Sequence, residues 1–152
     1  MATPYSDVYG SFLARIEEDD WLREEDLEVV DADLFEILKM AVFHFRFPRI
    51  SLEFDETDPE FVNTLTNAEI QVLATLMKQQ WLGRQVNTWR NIKQQYHTKD
   101  FEFSSQANHL DKLLKSQEYT SAEVRRVLDT YDRSRSGAAY PYNTLAGGEP
   151  DG

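Results

Sequence analysis

The sequence predicts a mainly α-helical fold: a small helical bundle with one long central helix, a short extended loop or hairpin near residues 98–105, and an extended C-terminal tail. Three observations predict it. Apolar residues recur at helical spacing over most of residues 4–134. Helix-start signals stand in front of those stretches. A Gly/Ala/Pro-rich run without period, SGAAYPYNTLAGGEPDG, closes the chain. At 152 residues the chain fits one domain, drawn here as 1–135 with a tail at 136–152.

Thr3-Pro4 reads as a helix start, a capping hydroxyl followed by a proline at the first helical position. Tyr5, Val8, Phe12 and Ile16 then form a helical stripe that ends before Glu17-Glu18-Asp19-Asp20. Residues 17–30 are acidic with scattered apolar groups and fit a turn with a short helix. A second helix is expected from about Asp31, with Leu34, Phe35, Leu38, Ala41, Val42 and Phe45 in period and Pro48 as its stop. Residues 46–65 carry two prolines and a carboxylate cluster and read as irregular or partly extended.

The clearest element follows. Thr66-Asn67-Ala68-Glu69 is a capping box, in which the Thr hydroxyl serves the Glu amide and the Glu carboxylate reaches back. Ile70, Leu73, Met77, Trp81, Trp89, Ile92 and Tyr96 continue on one helical face, with Gly83 inside it. Residues 97–107 form a break in which Phe101-Glu102-Phe103-Ser104 alternates apolar and polar. A last helical region covers about 105–134. Thr120-Ser121-Ala122-Glu123 is a second capping box within it, so two helices jointed near Tyr119 are expected.

Composition narrows the chemistry. There is no cysteine, which removes disulfides, zinc–thiolate sites and thiol catalysis. No apolar run approaches the roughly 20 residues that span a bilayer, and no basic segment followed by an apolar stretch suggests a signal peptide. The expectation is a soluble protein made in the cytoplasm. Residues 1–60 hold 17 Asp/Glu against 5 Lys/Arg, and residues 61–152 hold 10 against 11, so the net charge of −11 belongs to the N-terminal part. General nucleic-acid affinity needs a basic footprint, which is lacking at that scale.

No phosphate-cradling glycine loop occurs, and His44, His97 and His109 are scattered. His44, inside an apolar helix, reads as a core or interface residue. The acidic runs Glu17–Asp20, Glu24–Asp26 and Asp55–Asp58 contain no calcium-loop spacing and sit in polar sequence where they are solvated. No catalytic residue, metal ligand or cofactor is assigned, and the chain is expected not to be an enzyme. What stands out is adhesive capacity. The tail carries Tyr140, Pro141, Tyr142 and Leu145 on a segment unable to bury them locally, so they are expected to order on a partner.

Four stretches together resemble a family. PYSDVYGSFLARIEEDDW, FRFPR, LTNAEIQVLATLMKQQWLGRQVNTWRNIKQQY and FEFSSQANHLDKLLK are similar to the small neck proteins of tailed bacteriophages known as head–tail connector, adaptor or head-completion proteins. The likeness spans about residues 4–134 and is a general pattern rather than a catalytic signature. It implies a helical virion protein at the head–tail interface, a homo-oligomeric ring (commonly a dodecamer) that binds portal protein on one side and a tail or tail-completion protein on the other. DNA passes through such a ring without specific binding, and no membrane is involved. The resemblance makes Phe101 and Phe103 an inter-subunit loop. It makes Glu17, Glu18, Asp19, Asp20, Asp55 and Glu56 channel-lining candidates, because an acidic wall does not hold phosphates. Two readings stand beside it: a helical nucleic-acid-binding regulator or packaging factor using basic residues of 78–126, and a tail-terminator or scaffolding protein.

Overall fold

The computed structural model describes residues 2–16, 27–95 and 103–136. They form four helices: α1 (Tyr5–Leu13), α2 (Leu27–His44), α3 (Asn67–Gln95) and α4 (Phe103–Ser136). The mainly helical bundle expected from the sequence is what the chain adopts. Helices α1, α2 and α4 each pack on α3. That central position explains why Val72, Leu73, Ala74, Thr75, Leu76 and Met77 are buried in succession. A helix surrounded on all sides buries every face, whereas a surface helix buries one stripe.

Several boundaries differ from the sequence expectation. Pro4 is the residue before α1, in extended conformation, and no side chain caps the helix. Thr3 is drawn away by tertiary structure: its hydroxyl accepts the Leu65 N–H at 2.8 Å, and its carbonyl accepts the Phe61 N–H at 2.8 Å. Helix α2 begins at Leu27, earlier than Asp31.

The terminal region is one helix of 34 residues, longer than the 29-residue α3, with no joint at Tyr119. The buried series Leu110, Thr120, Val124, Leu128 and Tyr131 runs through the supposed joint. Packing on α3 therefore overrides the local capping signal of Thr120–Glu123, and the Thr120 hydroxyl is buried without a hydrogen-bond partner among the described residues. The extended segment expected at 98–105 is also corrected in part. Residues 103–105 are the first turn of α4. Residues 98–102 lie outside the described residues.

Residues 46–66 are irregular, as expected, with two isolated antiparallel bridges, Pro4 to Glu60 and Phe54 to Phe61. The Tyr5 N–H donates to the Pro59 carbonyl at 3.0 Å, and the Val62 N–H to the Glu53 carbonyl at 2.9 Å. The N-terminal segment is thereby clipped to the connection between α2 and α3.

The α3 capping box forms in part. The Thr66 N–H donates to Glu69 Oε1 at 2.8 Å, and the Thr66 hydroxyl also hydrogen-bonds that oxygen. A third partner comes from afar: the Tyr131 hydroxyl donates to Glu69 Oε2 at 2.6 Å while accepting the Arg49 N–H at 2.9 Å. The Arg49 guanidinium lies over the Tyr131 ring, 4.5 Å from its centroid. Burial pushes the Glu69 carboxyl up, but the bonds from the Thr66 side chain, Tyr131 and the Thr66 backbone outweigh it and hold the group below its ordinary value. Glu69 is only 1% exposed, so this carboxylate joins α3, α4 and the 46–66 segment from inside the core.

Candidate functional site: an exposed apolar helix face and an aromatic recess

Helix α2 turns Leu34, Ile37, Leu38 and Ala41 into the core, and Phe45, one residue past its end, is buried with them. At 3.6 residues per turn, Val29, Glu36, Met40 and Phe43 fall on the opposite side. Of these, Phe43 is 81% exposed and Met40 48%. Three residues past the helix, Phe47 is 65% exposed and has φ 53°, in the left-handed region. An aromatic residue rarely adopts that conformation, which carries a cost of about 1–2 kcal/mol for a residue with a Cβ. A strained, solvent-facing phenylalanine is thus held beside an exposed apolar helix end. Single exposed apolar residues are ordinary; Met40, Phe43 and Phe47 within eight residues point to a contact surface. Between α2 and α3, with Met40 on its edge, lies a groove of about 430 Å³ that also touches Arg84 and Asn87.

His44 does not enter the core. It is exposed, with Nδ1 2.9 Å from the Met40 carbonyl and its ring edge-on to Phe43 at 5.4 Å. The helix angle puts His44 between the buried and the outward faces, which the apolar character of its neighbours concealed.

A second feature sits at the other end of α2. Tyr5 stacks on Phe35 at 5.4 Å and meets Phe54 and Phe61 edge-on at 5.7 and 5.2 Å, and Phe35 meets Phe54 at 5.3 Å. These rings come from α1, α2 and the connection after it. Tyr5, Phe35 and Phe54, with Tyr9, wall an open recess of about 730 Å³ whose rim carries Asp31, Asp55 and Glu56, and Phe61 backs it from the core. Burial pushes the Tyr9 phenol up, with the charge of Asp31 and then Tyr5 adding to the effect. Tyr5 is raised by burial first and then by the Asp55 charge, which the Asp55 backbone N–H partly opposes.

Of the sequence-predicted site residues, Asp55 and Glu56 are placed here, on the recess rim. Asp55 Oδ1 accepts the Thr57 and Asp58 N–H groups at 2.7 and 3.1 Å, and these bonds hold its carboxyl below the ordinary range. Asp55, Asp58 and Glu60 offer carboxylate oxygens within 4.8 Å of one another. The Asx turn made by Asp55 accounts for part of this proximity. Phe103 opens α4 rather than a loop. Glu17, Glu18, Asp19, Asp20, Phe101, Tyr140, Pro141, Tyr142 and Leu145 lie outside the described residues, as do Glu24 to Asp26 and His97.

The basic residues of the bundle are partly engaged in ion pairs. Arg84 makes a two-pronged pair with Asp33 at 2.8 and 3.1 Å, Lys115 pairs with Asp111 at 3.4 Å, and Lys78 lies 3.9 Å from Glu123. Trp81 is buried, and the half-buried Trp89 packs edge-on against His109 at 4.6 Å. Gly83 is not a forced close approach, since an added Cβ would meet only Gln117 at 3.8 Å.

No described helix is long and apolar enough to cross a membrane. Sequence reasoning missed the recess because its rings are separated by up to 49 positions and converge only through tertiary packing. It missed the outward face of α2 because Met40 and Phe43 are apolar residues in a helix whose other apolar residues are core. Comparison of the chain with protein-family models, with curated proteins and with solved structures finds no match.

Proposed function

We propose that this chain is a non-enzymatic structural subunit of a larger assembly, a head–tail connector (adaptor) of a tailed bacteriophage. In this reading it forms a homo-oligomeric ring between portal and tail that extends the DNA channel, and it is located in the virion neck. The observation that carries the assembly role is the outward face of α2, where Phe43 stands 81% exposed opposite the core. Apolar side chains placed there add nothing to the chain's own core, and covering them in a subunit contact yields about 25 cal/mol per Å² removed from water. The connector identity rests on the resemblance of residues 4–134. The rim position of Asp55 and Glu56 suits an acidic wall past which DNA slides, and the tail bearing Tyr140, Pro141, Tyr142 and Leu145 serves as the segment that reaches a neighbouring protein.

Cryo-electron microscopy of the virus particle tests this. The expected result is a ring of this chain between portal and tail, with Met40, Phe43 and Phe47 covered by another subunit. A particle lacking the chain, or holding it elsewhere than the neck, overturns the connector reading.

A further inference from the structure

We propose that the recess walled by Tyr9, Phe35 and Phe54 and rimmed by Asp31, Asp55 and Glu56 is a binding site for an arginine side chain presented by a partner protein. Its volume of about 730 Å³ lies within the roughly 300–1,000 Å³ typical of ligand pockets. Its walls include the rings of Tyr5, Tyr9, Phe35 and Phe54, and an aromatic ring attracts a cation through its quadrupole. Its rim holds three carboxylates, and among the described residues no Lys or Arg lines it. Among those residues the negative charge has no counterpart inside the recess, and the complementary ligand is a cation.

The choice of arginine follows from shape. A planar guanidinium stacks on a ring while its N–H fork reaches carboxylates at the edge, and it sheds water more readily than an ammonium. The rings already draw one cation on their margin: Lys39 Nζ stands 5.0 Å from the Phe35 centroid. A phosphate-bearing partner, nucleic acid or anionic membrane, is disfavoured because all three rim groups are acids. Asp55 is set in place by its turn bonds from Thr57 and Asp58, and Asp31 lies in the first turns of α2, so two of the three carboxylates have a fixed backbone beneath them. The inference uses the recess alone and does not depend on the connector reading.

The test is a titration of the full chain with the peptide acetyl-Gly-Arg-Gly-amide and with its citrulline counterpart, followed by NMR of the aromatic side chains. The arginine peptide is expected to shift the rings of Tyr9, Phe35 and Phe54 with a dissociation constant of about 10 mM, the scale of one well-placed cation–π contact plus an exposed ion pair. The citrulline peptide should leave them unmoved. Asp31 and Glu56 are exposed, so Asp31→Asn combined with Glu56→Gln should fold normally and weaken binding about five- to ten-fold. Phe54→Leu, with its fold checked by circular dichroism, should weaken it at least about five-fold. Several results overturn the proposal: no ring shifts at about ten times the expected dissociation constant, equal shifts from citrulline, or binding indifferent to Phe54→Leu.

Discussion

Helix α2 carries apolar side chains on two sides with opposite surroundings. Leu34, Ile37, Leu38 and Ala41 are buried against the rest of the bundle, whereas Val29, Met40 and Phe43 face outward and are exposed. The inward set is explained by folding alone, because each residue removes apolar area from water. The outward set is not, since its area stays in water in the isolated chain. The same helix therefore separates residues that hold the molecule together from residues available to hold it to something else. Phe47 extends the contrast: its ring is exposed and its backbone is in a conformation that glycine adopts more readily.

The largest expected effect breaks the inward side. Leu38 is fully buried, and Leu38→Ala should cost about 2–5 kcal/mol in urea unfolding by loss of transfer energy plus a cavity. The network under the helix end comes next. Removing the Glu69 carboxylate leaves the Thr66 N–H and the Tyr131 hydroxyl without their acceptor, so Glu69→Ala should cost about 1.5–3 kcal/mol by the same measurement.

That carboxylate also gives a pH dependence of known sign. Its folded-state pKa lies below the ordinary 4.5, so the unfolded chain takes up the proton first as pH falls. Its contribution is present above about pH 4.5 and is lost as pH drops through the folded value. Unfolding of the native chain and of Glu69→Gln, compared from pH 7 to pH 3, should show stabilities that converge toward acid. A constant difference would remove the carboxylate's charge from the account.

Smaller effects sharpen the outward side. Phe43→Ser should change stability by no more than about 0.5 kcal/mol, the range of ordinary surface substitutions. A loss of several kcal/mol would mean that Phe43 belongs to the core. Thr120→Val replaces the buried, unpartnered hydroxyl by a methyl of the same shape, and should be neutral or stabilise by up to about 1 kcal/mol.

Much of the fold was legible in the sequence because it is written locally. The stripe through Val8 and Phe12, the Thr66–Glu69 box and the stop before Pro48 act within a few residues. What was not legible depends on partners distant in the chain. Thr3 looks like a helix cap until Leu65, 62 positions away, takes its hydroxyl. Thr120–Glu123 looks like a helix start until the packing of α4 on α3 buries Thr120. Glu69 reads as half of a capping box, while Tyr131 and Arg49 turn it into a core junction. For the candidate site, Asp55 and Glu56 were picked out as acids. Their position beside the rings of Tyr9, Phe35 and Phe54 required the folded chain.

The central claim is that the outward face of α2 is an assembly contact. On the connector reading proposed above, replacing Phe43 by the photo-crosslinking residue p-benzoylphenylalanine in cells producing the phage particle tests it most directly, with the exposed α4 position Asp129 as control. The account predicts that irradiation joins position 43 to another subunit of the particle, either a second copy or a portal or tail protein, and does so more efficiently than position 129. Crosslinks confined to the chain itself, or no crosslink at position 43 in the assembled particle, would contradict it.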